Sequence, residues 1–292
     1  FLPQLIVRGD SMKQAARKDF VEAFARGLEV IKAFDELHPV LGISEVAERA
    51  NLARPTAHRF LLTLEELGYV ISTPGGYMLT PKIVDLGMAY ISSRGIFNLA
   101  QTHMEKLVHE LDQSCSLTQL DGSDVVYVAR VTVPKIIHLA VTVGARLPAV
   151  GTAMGHVLLA ELDDEKLDEV IQTPTLSVFV AVQHYTRDQL FEQINFTRQN
   201  GYSISDERLS YGVRAVAVPI RARDGSVHSS LSMAAHANAV TAEQLRTEYL
   251  PRLINAATAI SQDWERFASL PNSDIASIAS SIPPPYAPKL SL

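Results

Sequence analysis

The stretch Gly151-Thr-Ala-Met-Gly155 has the spacing of the hydrolase nucleophile elbow, G-x-S-x-G. In that elbow the central residue attacks a carbonyl carbon, and here the central residue is Ala153. Because an alanine side chain carries no nucleophile, the stretch does not predict a hydrolase. The sequence also lacks a G-x-x-x-x-G-K-[ST] phosphate loop, a G-x-G-x-x-G dinucleotide motif and an H-E-x-x-H zinc motif.

The remaining candidates for catalysis or metal binding are equally weak. The nine histidines are scattered, and no pair has the spacing of metal ligands. The single cysteine, Cys115, excludes an internal disulfide framework and a cysteine-rich zinc site. We therefore expect no catalytic residue, no metal and no cofactor, and the chain is not expected to be an enzyme.

The same stretch can do a different kind of chemistry. "LPAVGTAMGHVLLA" (147–160) has the pattern of a loop that enters the N-terminus of a helix. The first N–H groups of a helix have no partner within it, and with the helix dipole they favour a carboxylate. Alternatively, the small residues only allow this helix to pack closely on a sheet. The stretch alone does not decide between these interpretations.

A second set of chemically useful residues lies in "ISEVAERANLARPTAHRFLLTLEELGYV" (43–70). Arg54, Thr56, His58 and Arg59 are expected near the exposed N-terminus of a helix, and the next acidic residue is Glu65. Such side chains can bond phosphates and base edges in a major groove. They therefore predict a DNA-binding surface, if the surrounding elements present them to solvent.

Two short helices would position this surface. The first is predicted from Ser44, as its N-cap, to Ala50, with Val46 and Ala47 facing inward. Pro55 suits the first turn of the second helix, where its missing N–H needs no partner. Apolar residues then recur at helical spacing before Gly68 ends the helix, namely Phe60, Leu61, Leu64 and Leu67. The pattern is that of a helix-turn-helix, although a helical hairpin in a bundle would look the same.

The segment after Gly68 favours the DNA-binding alternative. "YVISTPGGYMLT" (69–80) contains two short strand-like runs around Pro74-Gly75-Gly76, which predicts a β-hairpin. A helix-turn-helix followed by a hairpin is a winged helix, and Gly75 is then expected beside the DNA backbone. The net charge is −6, and residues 1–90 carry ten basic against eleven acidic residues. This balance argues against non-specific nucleic-acid binding but permits local recognition.

Flanking helices are predicted on both sides of the winged helix. Residues 20–38 form one, closed by Pro39, with an inward stripe of Phe24, Leu28, Ile31 and Phe34. Residues 81–113 form one long helix, or two joined near Gly95. Within them, an apolar stripe is expected to pair two subunits together with part of the N-terminal helix, namely Val84, Met88 and Ile91.

From residue 114 the period of the hydrophobic pattern changes to two. Strands are predicted at 114–122, 124–133 and 136–144, helices at 152–161, 163–172 and 187–200, strands at 201–206, 213–222 and 226–237, and a last helix at 241–268. The fold class is thus α+β. The expected domains are a leader (1–19), the winged helix (20–80), linker helices (81–113), a ligand-binding domain (114–268) and a disordered Ser/Pro-rich tail (269–292). No apolar run is long enough for a membrane helix, so a cytoplasmic protein is expected.

Alternation along the last predicted strand separates two faces. One carries Ser226, His228, Ser230, Ser232, Ala234 and His236, and the other carries Val227, Leu231, Met233 and Ala235. The first face, small and polar, could line a binding site or could simply face solvent.

Three separate motifs resemble the IclR family of bacterial transcription regulators: the helix-turn-helix stretch, "LPAVGTAMGHVLLA" and "NGYSISDERLSYGVRAVAVPI". "RVTVPK" and "LSMAAHANAVTAEQL" are similar to the subgroup that governs aromatic-acid catabolism through the β-ketoadipate pathway. The resemblance implies a winged helix that binds double-stranded operator DNA, a linker helix and a GAF-like effector domain with an antiparallel sheet. It also implies a homodimer or tetramer. A sensor that acts through protein partners, or a small-molecule enzyme, is the alternative function.

The resemblance also implies effector-binding positions. They are the amides of Thr152, Ala153 and Met154, together with Ser205, Ala215, Ser232 and Ala234. His236 is added as a partner for a carboxylate or hydroxyl, and His138 is a weaker candidate. Members that bind small oxoacids have more polar groups at several of these places. The family pattern therefore predicts an aromatic acid or keto-acid effector here, rather than a glyoxylate-like one.

Overall fold

The computed structural model describes residues 20–35, 37–87, 96–133 and 141–268. The chain divides into two compact units, Phe1–Tyr90 and Ile91–Leu292. In the described part of the chain, no helix is both long and apolar enough to cross a membrane. The elements of the first unit are α1 (Glu22–Lys32), β1 (Val40–Leu41), α2 (Ile43–Arg49), α3 (Arg54–Glu66), β2 (Val70–Thr73) and β3 (Gly76–Leu79).

The helix-turn-helix forms where the sequence predicts it. Val46 and Ala47 are buried against Leu61 and Leu64 of α3, so that α2 and α3 share one core. The predicted N-cap is wrong, because α2 begins after Gly42 rather than at Ser44. The Glu45 carboxylate closes this helix start by accepting a hydrogen bond from the Gly42 N–H at 2.7 Å.

The turn and the ends of α3 follow backbone chemistry. Asn51 adopts a positive φ of 53° in the turn, a conformation that asparagine tolerates better than most residues. Pro55 lies in the first turn of α3, as predicted. Gly68 has a φ of 79° just after the helix, which confirms its role in ending it.

The N-terminal helix departs from its prediction. It ends at Lys32, well before Pro39, and Arg49 donates to the Ala33 carbonyl at 2.6 Å beside this end. Val30 and Phe34 are buried in the core, but Phe24 is 69% exposed and Leu28 is 40% exposed. The predicted inward stripe is therefore wrong at these two positions, and α1 presents part of its apolar surface to solvent.

The wing is a three-stranded antiparallel sheet with the order β1-β3-β2. Its hairpin is confirmed, with Thr73 opposite Gly76 at the turn. No sequence pattern predicts β1, whose two residues pair with β3. Gly76 has a φ of 140°, and a β-carbon there would lie 2.4 Å from the Leu41 carbonyl oxygen, so only glycine allows β1 to approach.

Only part of the predicted linker can be described. Residues 83–87 are helical and Val84 is exposed, whereas Met88, Ile91 and Gly95 lie outside the described residues. The second unit then contains α4 (Ile96–Leu111), β4 (Ser114–Asp121), β5 (Asp124–Val131), β6 (Arg146–Pro148), α5 (Ala153–Leu159), α6 (Asp164–Gln172), α7 (Arg187–Asn200), β7 (Ser203–Asp206), β8 (Val213–Arg221) and β9 (Val227–His236). It ends in α8, which starts at Ala242–Gln244, passes through a π-helical turn at Leu245–Tyr249 and continues as Leu250–Ala268.

The six strands form one antiparallel sheet with the order β6-β5-β4-β9-β8-β7. Helices α4 and α8 pack on one face around Met104, Leu231 and Leu253. Helices α5, α6 and α7 pack on the other face around Leu159 and Ile194. Buried side chains along α4, from Ile96 to Leu111, belong to the core of this unit. Helix α4 therefore packs as a part of the second unit. The predicted boundary near residue 114 stays a prediction.

Two local expectations in the sheet are wrong. The predicted strand 136–144 is wrong over residues 141–144, which form a loop and turn, while residues 136–140 lie outside the described residues. The described strand that pairs with β5 on this side is the short β6. In β9, the register shifts so that Arg221 faces Val227 while Ile220 faces Ser229. This bulge sends Val227 into the α5 side of the core and the His228 ring to Trp264 of α8, 5.7 Å between centroids.

Candidate nucleic-acid interface and ligand cavity

The exposed side of α3 carries the predicted DNA-contacting residues. Arg54, Pro55 and Arg59 are exposed, while Thr56 and His58 are partly exposed. Within the described ranges, neither Arg54 nor Arg59 forms an ion pair. Both guanidinium groups are therefore available for phosphate or base contacts. Gly75 is exposed at the tip of the β2–β3 turn.

Sequence reasoning missed the rest of this side of α3. Leu62 is 46% exposed, and Thr63 and Glu66 continue the same outward stripe one and two turns after Arg59. The signal was present in the sequence, since these residues follow Arg59 at helical spacing on the side opposite the buried Ala57 and Leu61.

The start of α5 is built around a capping threonine and a glycine. The Thr152 hydroxyl accepts a hydrogen bond from the Gly155 N–H at 3.0 Å. A β-carbon on Gly155 would lie 2.0 Å from the Ala149 carbonyl oxygen, so glycine is needed for the close approach of the preceding 3₁₀ turn. Within the described residues, the N–H groups of Ala153 and Met154 donate to no other group.

These two amides lie beside a cavity of about 210 Å³. The sequence-predicted residues that line it are Thr152, Ala153, Met154, Ser205, Ala215 and Ala234. The lining residues that the sequence did not suggest are Tyr127, Val141, Leu147, Phe179, Val180, Val182, Leu209, Ser210 and Val213. The structure thus brings six of the eight predicted effector-binding residues to one mostly apolar cavity.

The other predicted residues lie elsewhere. Ser232 is buried on the same face of β9 as Ala234, but it does not line the cavity. His236 is exposed at the end of β9, opposite Val213, and does not line it either. His138 lies outside the described residues.

One wall of the cavity is a segment without regular secondary structure, residues 174–182, which we call the strap. Its beginning is held by the buried Asp124, whose carboxylate accepts hydrogen bonds from the Thr175 hydroxyl and the Leu176 N–H. Its end is held by a backbone bond from the Val182 N–H to the Leu209 carbonyl. No periodic pattern marks this segment, so the sequence could not place it over the cavity.

A buried histidine supports the cavity from behind. His156 of α5 contacts the Ser203 hydroxyl at 3.1 Å and the Val150 carbonyl at 2.9 Å, and its ring meets Tyr185 edge-on. Burial lowers the pKa of His156 to about 4, against a usual 6.5, and the charge of Arg208 acts in the same direction. The neutral ring therefore ties α5 to β7, the strand that carries Ser205.

The cavity is suited to binding rather than to acid–base chemistry. Of its described lining residues, only Tyr127 has a titratable side chain, and burial raises its pKa to about 12. The thiol of Cys115 is buried on the other face of the sheet, and burial raises its pKa to about 12 as well. Among the residues that can be described, no three histidine, cysteine or acidic side chains are grouped to hold a metal.

Comparison with known proteins agrees with both halves of this architecture. Residues 23–74 match the IclR helix-turn-helix domain, and residues 88–262 match the bacterial transcriptional regulator IclR C-terminal domain. The Pca regulon regulatory protein of Pseudomonas putida is 36% identical over 82% of this chain and 82% of its own length.

Two solved structures extend the comparison. A proposed transcriptional regulator from Rhodococcus sp. RHA1 is 40% identical, with a TM-score of 0.74, over 84% of this chain and 98% of its own. A double mutant of the PobR inducer-binding domain from Acinetobacter, in complex with 3-hydroxybenzoic acid, is 30% identical with a TM-score of 0.52. The match covers 56% of this chain and 97% of that domain. This chain belongs to the IclR family of bacterial transcriptional regulators.

Proposed function

We propose that this chain is a regulator of aromatic-acid catabolism that binds operator DNA through its winged helix and changes that binding when an aromatic acid enters the cavity. The observation that carries the proposal is the cavity itself, which is mostly apolar and bordered by two backbone amides without a partner in the described residues. A matching inducer-binding domain, 30% identical, holds 3-hydroxybenzoic acid.

Side-chain size supports an aromatic ligand. Ala215 and Ala234 are neighbours on β8 and β9, directly opposite each other in the sheet. Their short side chains leave a flat floor, and Leu147, Phe179 and Val182 add apolar walls. A ring or a longer keto-acid could cover these groups, whereas a two-carbon oxoacid would leave them facing an unfilled space. The carboxylate would accept hydrogen bonds from the amides of Ala153 and Met154.

Operator recognition is assigned to α3 and the wing. Arg54 and Arg59 supply charged donors that can reach phosphates or guanine, and Thr56 and His58 supply polar groups on the neighbouring turn. Gly75, at the tip of the wing, would lie beside the sugar–phosphate backbone, because it has no side chain to hold the strand away.

We further propose that operator binding uses a homodimer, with higher assemblies built from it. A single winged helix buries too little surface for high specificity, so two half-sites are needed. Phe24 and Leu28 of α1, with Val21 before it, form an exposed apolar stripe in the first unit, and Val84 is also exposed. Pairing of such stripes between two copies would remove them from water.

A ligand panel tests the effector class. Benzoate, hydroxybenzoates, β-ketoadipate, pyruvate and glyoxylate would be compared by thermal shift on the full chain, since a ligand at 100 times its Kd adds about 2.7 kcal/mol of stability. An aromatic acid or the longer keto-acid should give the largest shift. Ala234→Phe should fill the cavity and remove this shift while DNA binding persists. If pyruvate or glyoxylate binds most tightly, the proposed effector class is wrong.

A further inference from the structure

The described lining of the cavity includes one buried tyrosine, Tyr127. Only 4% of the residue is exposed, and it lines the cavity from β5. Its hydroxyl forms no hydrogen bond with any residue in the described ranges. The hydroxyl oxygen keeps some solvent access, and a ligand in the cavity can offer it a hydrogen-bond partner. The described cavity lining therefore includes a hydroxyl that a ligand atom can bond.

The position of Tyr127 in the sheet separates it from the other lining hydroxyls. Tyr127 is on β5, and Ser205 is on β7, four strands away across the sheet. Strands lie ~4.8 Å apart, so the two backbones are ~19 Å apart along the sheet. The floor between them is formed by the short side chains of Ala234 and Ala215. The two hydroxyls thus lie at different ends of the cavity lining, so a ring substituent near Tyr127 is distant from Ser205.

The two kinds of donor differ in what they can bind. The adjacent amides of Ala153 and Met154 can only donate, which suits the two oxygens of one carboxylate. A tyrosine hydroxyl both donates and accepts, which matches a ligand hydroxyl that does the same. Burial keeps the pKa of Tyr127 at about 12, so the group stays protonated near neutral pH.

We propose that Tyr127 is a specificity-determining residue that recognises a ring hydroxyl of the effector and so distinguishes hydroxybenzoates from benzoate. This inference rests on the proposed aromatic effector and adds the residue that selects among such acids. A second carboxylate on the ring is the competing possibility, and it becomes one arm of the test.

The test compares ligands and variants by calorimetry on the full chain. The probes are benzoate, 3-hydroxybenzoate, 4-hydroxybenzoate and 4-carboxybenzoate. The wild-type protein should bind one hydroxybenzoate about 10-fold more tightly than benzoate, which corresponds to about 1.4 kcal/mol. Tyr127→Phe keeps the ring and should lose this preference, with benzoate affinity changed less than about 2-fold.

A matched control is Tyr202→Phe, because Tyr202 packs against the core formed with α4 and α8 and does not line the cavity. It should leave every affinity unchanged. If Tyr127→Phe retains the hydroxyl preference, or if 4-carboxybenzoate binds the wild-type protein most tightly, the role of Tyr127 is wrong while the aromatic effector class stands. If none of the four benzoates binds, the aromatic effector itself is wrong, and with it the role of Tyr127.

Discussion

Replacing Gly155 by alanine adds one methyl group where α5 closely approaches the preceding 3₁₀ turn. The new β-carbon would lie 2.0 Å from the Ala149 carbonyl oxygen and 2.5 Å from its carbonyl carbon. Real β-carbons essentially never come within 3.0 Å of such atoms, so α5 and the 3₁₀ turn must separate by about 1 Å or more. The carbonyl belongs to the backbone and cannot rotate away as a side chain would.

The cost follows from the surroundings. All seven residues of α5 are buried, so the helix has no open space into which it can move. Overpacking of this kind costs about 1–3 kcal/mol, while alanine regains about 1 kcal/mol of helix propensity over glycine. The difference is a net loss of about 0–2 kcal/mol in the free energy of unfolding, and because α5 has no open space to move into, we expect the upper part of that range.

Effector affinity should fall more than stability. A movement of about 1 Å takes the amides of Ala153 and Met154 out of hydrogen-bond range of a carboxylate held by the rest of the cavity. A hydrogen bond to a charged group contributes about 1.5–3 kcal/mol, so losing one weakens binding about 10- to 150-fold.

The assay combines urea denaturation of the full chain with calorimetry of the best ligand from the panel. Gly87→Ala is the matched control, since Gly87 is in the helical segment 83–87 and a β-carbon there meets nothing within 4 Å. The control should keep both stability and affinity, or gain slightly in stability. A Gly155→Ala protein that is as stable as wild type and binds ligand equally well would refute the reasoning about this contact.

Three further predictions concern other parts of the chain. Arg59→Ala should weaken binding to an operator obtained by selection from random DNA by about 1–3 kcal/mol in gel-shift titrations, and Arg26→Ala, on α1, should not. Phe24→Glu should yield monomers in sedimentation experiments that still bind effector, and a dimeric variant would contradict the role of α1. In the unfolded chain His156 gains a proton below pH 6.5, whereas the buried ring in the folded protein accepts one only near pH 4. The free energy of unfolding should therefore fall by about 3 kcal/mol as the pH drops from 6.5 to 4. His156→Gln should flatten that decline and His109→Gln should not; an unchanged decline in His156→Gln would contradict the assignment.

The parts of the fold that the sequence predicted well are those with local signals. Pro55 and Gly68 mark the ends of α3 through backbone chemistry, and the glycine turns mark the hairpins. Each of these constraints acts within a few residues, so it does not depend on the rest of the structure. Family resemblance then supplied six lining residues, from Thr152 to Ala234, that no local pattern identifies.

The failures have long-range causes. The two residues of β1 form a strand only because β3 offers an edge and Gly76 allows the approach. The bulge near Val227 reverses the alternation expected for the first residues of β9, since one extra residue exchanges the two faces. The strap over the cavity depends on the buried Asp124, which lies about fifty residues earlier in the sequence.

The chemistry of the lining explains why a large apolar acid should bind better than a small one. Among the described lining residues there is no cationic side chain to compensate a buried carboxylate, only amide and hydroxyl donors. An aromatic group that buries about 150–250 Å² gains about 4–6 kcal/mol at ~25 cal/mol per Å². A single methylene gains only about 0.8 kcal/mol, less than the cost of one imperfectly paired polar group, about 1–3 kcal/mol. In a cavity of this composition the ring must supply most of the affinity, and the polar atoms must supply the selectivity.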